Sequence, residues 1–422
     1  MVEPRSVTVA TVSGRDLSVE AYVLLGFGSL AYFLFTFSWF SLAAYLVPII
    51  EELGLSSTQA GVVTGAVQLS YIPLSLASGL AIDRLGSRRS LGAGLFVIGI
   101  SHMLRGFSPD FVTILLATFL LGVGGTAITF GLPKLVSELF PPERSGSMSS
   151  VFIVGATLGS ATTFALARPI VGPLLGGWRP FFIYTGATVV LFSLLWTAIS
   201  WLLWGRITHF YETDDGQVFS IASIRSDLVR VFTHVGLLLL VVVGTMRLFI
   251  SHGLSNWLPT ILEAGGMAPA LAATLTSLFI LIRIVGILSI PYLSDRFGTR
   301  RWPIILCGLA GTAGMIGLTV GGSLPILLVS LVLVGTFIIG GLSPLVRALP
   351  IEMDGIGPRL TAVANGLIFT VGEVGGFMGP FLIGLLHDVT GSFTPALALL
   401  AVAAFVSAVA GYLMDEPKNT AA

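Results

Sequence analysis

Runs of roughly twenty consecutive apolar residues, each long enough to cross a bilayer as a helix, recur along the whole chain. Twelve stand at about 22–50, 58–82, 89–107, 110–138, 146–170, 180–204, 234–262, 269–294, 302–321, 324–350, 359–386 and 394–414. Inside hydrocarbon the backbone must satisfy its own N–H and C=O groups, which leaves helices and closed barrels. Barrel strands would alternate polar and apolar residues, and these segments do not. Charged residues make up only 10% of the chain, against roughly 25% in a soluble globular protein. The expectation is an all-α membrane protein with twelve transmembrane helices.

Charges outside the spans orient them. With the amino terminus inside, the short cytoplasmic segments hold sixteen basic residues, from Arg5 and Arg15 through Arg225 and Arg347 to Arg359 and Lys418. The outer loops hold three, Arg105, Arg168 and Arg179. Lys and Arg accumulate on the cytoplasmic side, so both termini are expected in the cytoplasm, with the chain in a cell (inner) membrane. Residues 1–20 show no basic start and cleavage site of a signal peptide. Cys307 stands alone, and the five histidines (102, 209, 234, 252 and 387) lack metal-ligand spacing. No nucleotide-binding or hydrolytic constellation stands in the sequence. The expectation is therefore no enzyme, no cofactor, no metal and no nucleic-acid partner.

The two halves of the chain repeat. Pro48, Glu52 and Gly54 recur as Pro259, Glu263 and Gly265, 211 residues later, and Pro133 and Pro169 recur as Pro344 and Pro380 at the same offset. Asp83-Arg84-x-Gly86-x-Arg88-Arg89 recurs as Asp295-Arg296-x-Gly298-x-Arg300-Arg301 at 212. The expected organisation is a tail over 1–21, a six-helix bundle over 22–205, a cytoplasmic linker over 206–233, a second bundle over 234–414 and a tail over 415–422. Repeats of this kind mark secondary transporters, which bind near the membrane midplane between the halves and rock around that site.

The segment Gly79-Leu80-Ala81-Ile82-Asp83-Arg84-Leu85-Gly86-Ser87-Arg88-Arg89 resembles the signature between helices 2 and 3 of the major facilitator superfamily, and Tyr292 to Arg301 resembles its second copy. The resemblance implies two pseudo-symmetric six-helix bundles working by alternating access. It also implies a gating role at the cytoplasmic rim for Asp83, Arg84, Arg88, Asp295, Arg296 and Arg300. Within that family, Arg247 to Pro259 resembles the cyanate and nitroimidazole transporter group. Many drug antiporters of the family carry arginine in helix 4 where this chain has Thr118.

Three charges stand inside otherwise apolar spans: Arg247, Arg283 and Glu373. Counting from the span ends at 1.5 Å per residue places Arg247 roughly 18 Å deep and the other two at a similar level. Ionisable groups at such depth usually face a polar cavity and serve the transport path. An arginine fork suits carboxylates and similar anions and keeps its proton on burial. Arg247 and Arg283 are therefore candidate substrate ligands, and Glu373 is a candidate proton carrier. The alternative is an ion-pair network that locks one conformation.

His252 and Asn256 follow Arg247 in the same span and share a face with Pro259 at i, i+4, i+7, and are candidate substrate ligands; Tyr32 and Trp39 in the first span are candidate pocket aromatics. Trp257 and Pro259 are expected at an outer gate where proline breaks the helical ladder. Gly155, Gly159, Gly172, Gly176, Gly375, Gly376 and Gly379 are expected to allow close helix approach. The resulting expectation is a monomeric secondary transporter of a small organic or inorganic anion, coupled to protons by symport. The alternatives are a proton-driven exporter of hydrophobic drugs and a transport-silent membrane sensor.

Overall fold

A computed structural model describes residues 18–207, 230–353, 356 and 358–416. The expected charges at Arg5, Arg15, Arg225 and Lys418, and most of the expected linker, lie outside the described residues. Among those described, twelve helices are long and apolar enough to cross a membrane, the second counted as one bent span. They are α1 (Val19–Ala44), α2 (Ser57–Leu85), α3 (Ser87–Phe107), α4 (Phe111–Leu139), α5 (Pro142–Leu175), α6 (Trp178–Trp204), α7 (Val235–Ala264), α8 (Pro269–Phe297), α9 (Arg301–Val320), α10 (Leu324–Glu352), α11 (Pro358–Thr390) and α12 (Thr394–Leu413).

Local chemistry sets the helix ends. The first expected span divides at Tyr45, and a short helix Leu46–Leu53 follows, ended by Gly54 at φ 61°. That left-handed conformation suits glycine because it carries no Cβ. A capping box opens α2: Ser56 Oγ accepts from the Gln59 N–H at 3.1 Å, and Gln59 Oε1 accepts from the Ser56 N–H at 3.0 Å. Two of the amides that a helix start leaves unpaired are thereby satisfied. Asp110 opens α4 by accepting from the Thr113 N–H at 2.9 Å.

Packing follows the repeat. In the first bundle α3 packs on α6, α1 on α5 and α2 on α4; in the second α9 packs on α12, α7 on α11 and α8 on α10. Each pairing recurs six helices later, which is the structural form of the 211-residue offset. Small residues bring the paired backbones together. A Cβ built on Gly155 would lie 2.5 Å from the Ser29 carbonyl oxygen, and one on Gly375 would lie 2.6 Å from that of Thr245. Gly176 corrects the expectation for the glycines as a set. It has φ 87° with nothing beside it, so it ends α5 rather than packing against a neighbour.

Two other expectations change. α7 runs unbroken through Pro259, and Trp257 Nε1 donates to the Pro380 carbonyl of α11 at 2.9 Å, holding that turn against its neighbour. Two spans instead contain π-helical turns, Thr163–Val171 in α5 and Val334–Gly341 in α10, and both pack against α8.

The halves meet through α2 against α11 and α5 against α8, and the two ends of the molecule differ. At the end away from the basic rim, the Asp388 carboxylate of α11 caps the start of α2. It accepts from the Ser57 N–H at 2.9 Å, the Thr58 N–H at 2.7 Å and Thr58 Oγ1 at 2.6 Å. A negative charge suits a helix N-terminus. His387 Nδ1 and Ser57 Oγ lie 2.8 Å apart beside this cap, and Arg168 pairs with Glu263 at 2.5 Å across the same interface. A Cβ on Gly61 would lie 2.5 Å from the Pro380 carbonyl, so the backbones are in contact there.

At the basic end the halves part around a cavity of about 850 Å³ lined by α2, α4, α7, α10 and α11. The rim charges pair within their own halves. Asp83 pairs with Lys134 at 2.5 Å; Arg300 pairs with Asp295 at 2.5 Å and Glu352 at 2.7 Å. Arg88 lies over the Trp204 ring at 5.5 Å.

Asp388→Asn removes the charge from the interbundle cap. Hydrogen bonds to a charged group contribute about 1.5–3 kcal/mol, so the closed-to-open ratio at that end is expected to fall at least about tenfold. Spin labels on cysteines at positions 51 and 390, in a Cys307→Ser background, read the change as a longer distance population. An unchanged distribution would show that Asp388 does not hold this end shut.

Candidate functional site

Polar groups from both bundles converge at and above the cavity. Arg247 of α7 lines it together with Arg347 of α10, and Arg247 Nε is buried without a hydrogen-bond partner. Arg347 was expected to be a plain cytoplasmic charge. It stands on the last turns of α10, which place it on the cavity wall.

Above the cavity, away from the basic end, His252 of α7 and Glu373 of α11 approach to 4.0 Å between Nε2 and Oε2. Trp39 of α1 stacks on the His252 ring at 5.4 Å with an 18° interplanar angle, so a first-bundle side chain meets the pair. Gln68 of α2 completes the group. A Cβ built on Gly376 would lie 3.0 Å from Glu373 Oε2, 3.0 Å from His252 Cδ2 and 3.2 Å from Gln68 Cγ. Those side chains therefore surround one bare stretch of α11 backbone.

Arg283 of α8 donates from Nη2 to Ser255 Oγ at 2.8 Å and lies 4.7 Å over the Phe279 ring. Ser255 is eight residues beyond Arg247 on α7, about 12 Å along the axis. The two arginines are therefore staggered along the path rather than level as span counting suggests. Arg283 reaches Ser255 while Arg247 lines the cavity, a difference that residue counting cannot register. Among the described residues no carboxylate oxygen lies within 4.0 Å of a nitrogen of either arginine, so no ion-pair lock joins them to Glu373.

The structure thus brings Trp39, His252 and Glu373 together, with Arg247 on the cavity below them and Arg283 of α8 bonded to Ser255 further along α7. Asn256 is turned away: its amide donates to the His252 carbonyl of its own helix at 2.8 Å. Tyr32 stacks between Phe35 and Phe152. Sequence reasoning missed Gln68, Ser255 and Arg347. The amide in mid-span was a usable signal for Gln68, whereas Ser255 resembles any small packing residue.

A third arginine inside the bundle corrects the outer-loop assignment of Arg105. α3 ends at Phe107, as the expected span does, and Arg105 in its last turn is 0% exposed. Its Nη1 donates to the Ser38 carbonyl at 2.8 Å, and its Nε donates to Thr118 Oγ1 at 3.0 Å. The arginine absent from position 118 of α4 is thus supplied in space from α3. At the same end, the Arg179 guanidinium pairs with Glu52 at 2.6 Å. That bond, aided by the Trp178 N–H, holds the Glu52 carboxyl below the usual carboxylate range.

Arg105→Lys keeps the charge but cannot make both hydrogen bonds from one planar group. A loss of about 2–4 kcal/mol is expected, since breaking the hydrogen bonds of a buried charge is costly. It is measured as a lower thermal midpoint in detergent; an unshifted midpoint would contradict a structural role for this guanidinium.

The comparisons with known proteins agree with this architecture. The profile described as Major Facilitator Superfamily matches residues 28–380. A putative tartrate transporter of Agrobacterium vitis is 26% identical over 420 residues, covering 94% of this chain and 91% of its own length. A probable nitrate/nitrite antiporter of Thermus thermophilus is 29% identical over 405 residues, covering 87% and 86% respectively. Among solved structures, a bacterial homolog of the human lysosomal transporter Spinster, inward-facing and unoccupied, superposes with a TM-score of 0.74 at 17% identity. That match covers 93% of this chain and 96% of that one.

Proposed function

The chain belongs to the Major Facilitator Superfamily, and from that membership we propose that it is a proton-coupled secondary transporter of small anions. The observation that carries this reading is the charge imbalance in its centre. Arg247, Arg283 and Arg347 stand in or next to the path with Glu373 as the acid among them, and neither Arg247 nor Arg283 has a carboxylate within 4.0 Å. Unpaired buried charge is costly, so an anion that enters relieves it. The relatives named for tartrate and for nitrate/nitrite carry anions, which supports the same class.

In this reading the basic end is cytoplasmic and the cavity faces inward, with both termini in the cytoplasm of a cell inner membrane. The bundles at 22–205 and 234–414 are the rocking bodies, and the protein works as a monomer. Arg247 and Arg283 bind the anion, and Arg347 attracts it from the cytoplasmic side. His252 and Trp39 shape the pocket around Glu373. When Glu373 takes a proton, the positive excess grows by one and anion affinity rises. When the site opens to the less acidic side, the proton leaves and the anion follows. The rim pairs Asp83–Lys134, Arg300–Asp295 and Arg300–Glu352 hold each bundle's inner edge while the halves part.

Thermal-shift titration of the purified protein with small carboxylates and inorganic anions tests the anion site. Losing a hydrogen bond to a charged group costs about 1.5–3 kcal/mol, so Arg283→Ala is expected to weaken the stabilising anion at least about tenfold. Stabilisation by lipophilic compounds alone, indifferent to the mutation, would replace the reading with drug export. Binding without flux in proteoliposomes would point to a sensor. Proton coupling is tested separately by uptake across pH. Uptake is expected to rise as the pH of the loading side falls, and Glu373→Gln to flatten that dependence. A mutant that keeps the parental pH profile would remove Glu373 from the coupling.

A further inference from the structure

The roof of the cavity holds a mixed set of polar atoms that one oxyanion cannot satisfy. Gln68 is 0% exposed, and both its amide nitrogen and its amide oxygen lack a partner among the described residues. Beside it, Glu373 Oε2 and Trp39 Nε1 are buried without a hydrogen-bond partner as well. Buried polar atoms are nearly always paired, and each exception calls for an explanation. These four atoms belong to three helices and, with the likewise unpartnered His252 Nδ1 on a fourth, gather around Gly376 and the His252 ring.

Their position relative to the cavity is set by helical register. Ile72, Leu248 and Phe369 line the cavity. Gln68, His252 and Glu373 each stand four residues away, one turn further from the basic end on the same face of α2, α7 and α11. Three helices thus place the same layer of side chains directly over the space that a substrate enters.

A group that meets this layer faces donors and acceptors together. Gln68 offers an N–H pair and a carbonyl oxygen, Trp39 offers an N–H, and Glu373, protonated when the substrate is loaded, offers one O–H donor and one accepting oxygen. A simple inorganic anion brings acceptors alone. It would satisfy the N–H and O–H groups and leave the Gln68 carbonyl unpaired. A hydroxyl does both jobs, since its oxygen accepts from Gln68 Nε2 or Trp39 Nε1 while its hydrogen goes to Gln68 Oε1 or the accepting oxygen of Glu373.

Building on the anion reading above, we propose that the substrate is a hydroxylated organic anion, and that Gln68 of the first bundle reads its hydroxyl while the arginines of the second bundle hold its charge. A ligand gripped in this way bridges the two bodies that must move. Gln68 would then be a specificity-determining residue, separate from the charge-binding arginines.

The test is discrimination within matched pairs: lactate against propionate, malate against succinate, and 4-hydroxybenzoate against benzoate. Each is titrated on the purified full chain by thermal shift and calorimetry. In the parent, the hydroxylated member of the pair that binds is expected to be preferred at least about tenfold, because a site built to hydrogen-bond a hydroxyl rejects the analogue lacking it. Gln68→Leu is expected to bring that preference within about threefold while binding of the deoxy member is retained, which also shows that the variant is folded. Gln68→Met serves the same purpose if Gln68→Leu cannot be purified. Deoxy anions that bind as tightly as their partners in the parent, with Arg283→Ala abolishing both, would overturn the hydroxyl assignment and leave the anion site standing. Full preference retained in Gln68→Leu or Gln68→Met would overturn the role of Gln68. If no member of any pair binds the parent while an inorganic anion stabilises it, this inference falls and the anion site stands; if no carboxylate or inorganic anion stabilises it, both fall.

Discussion

A guanidinium cannot shed its proton to escape burial, so every arginine folded into this apolar protein must be given oxygens or left costly. The structure treats its inner arginines in two ways. Arg105 receives the Ser38 carbonyl and the Thr118 hydroxyl and is sealed at 0% exposure. Arg283 receives only Ser255, and Arg247 lines the cavity with its Nε unpartnered. The first arrangement braces a bundle. The second leaves demand at Arg247 on the wall of a space large enough for a ligand, since pockets of about 300–1,000 Å³ suit small molecules and this one measures about 850 Å³. Glu373 offsets part of that demand without touching either arginine.

The two ends of the molecule join the halves by different kinds of contact. Where the halves are closed, interbundle contacts are polar and local: Asp388 on the start of α2 and Arg168 on Glu263. Where they are open, Asp83, Arg300 and Glu352 keep their partners inside one bundle. Between the two ends lies the Trp39–His252 stack, the layer that binding would have to affect. A carboxylate capping a helix end is a contact of moderate strength, which suits a closure that must also release.

Much of the fold was legible because the bilayer imposes one rule on every span. Twelve apolar runs became twelve helices, and the 211-residue repeat became the same helix pairings six helices apart. The expected break at Pro259 did not appear, because Trp257 bonds that turn to the Pro380 carbonyl and α7 continues. The candidate site was legible where a residue type was out of place, as with Glu373 and the arginines inside spans. It was not legible where an ordinary residue acquires its meaning from a neighbour. Arg105 was counted with the outer loop although the expected span reached residue 107, because its sealing depends on Ser38 of α1 and Thr118 of α4, which only packing brings to it. Arg347 counted as topology because only the splaying of the bundles puts it on the cavity wall.

The sequence by itself determined the class of molecule, the number of spans, the internal duplication and the presence of charge where hydrocarbon should be. These follow from composition and period, which one dimension records in full. The tertiary structure decided which charges meet. It set His252 against Glu373 and against the Trp39 ring, carried Arg283 of α8 to Ser255 of α7, and brought Gln68 from the other bundle to the same layer. Contact between residues hundreds of positions apart depends on helix rotation, tilt and side-chain direction, and a linear spacing rule carries none of these.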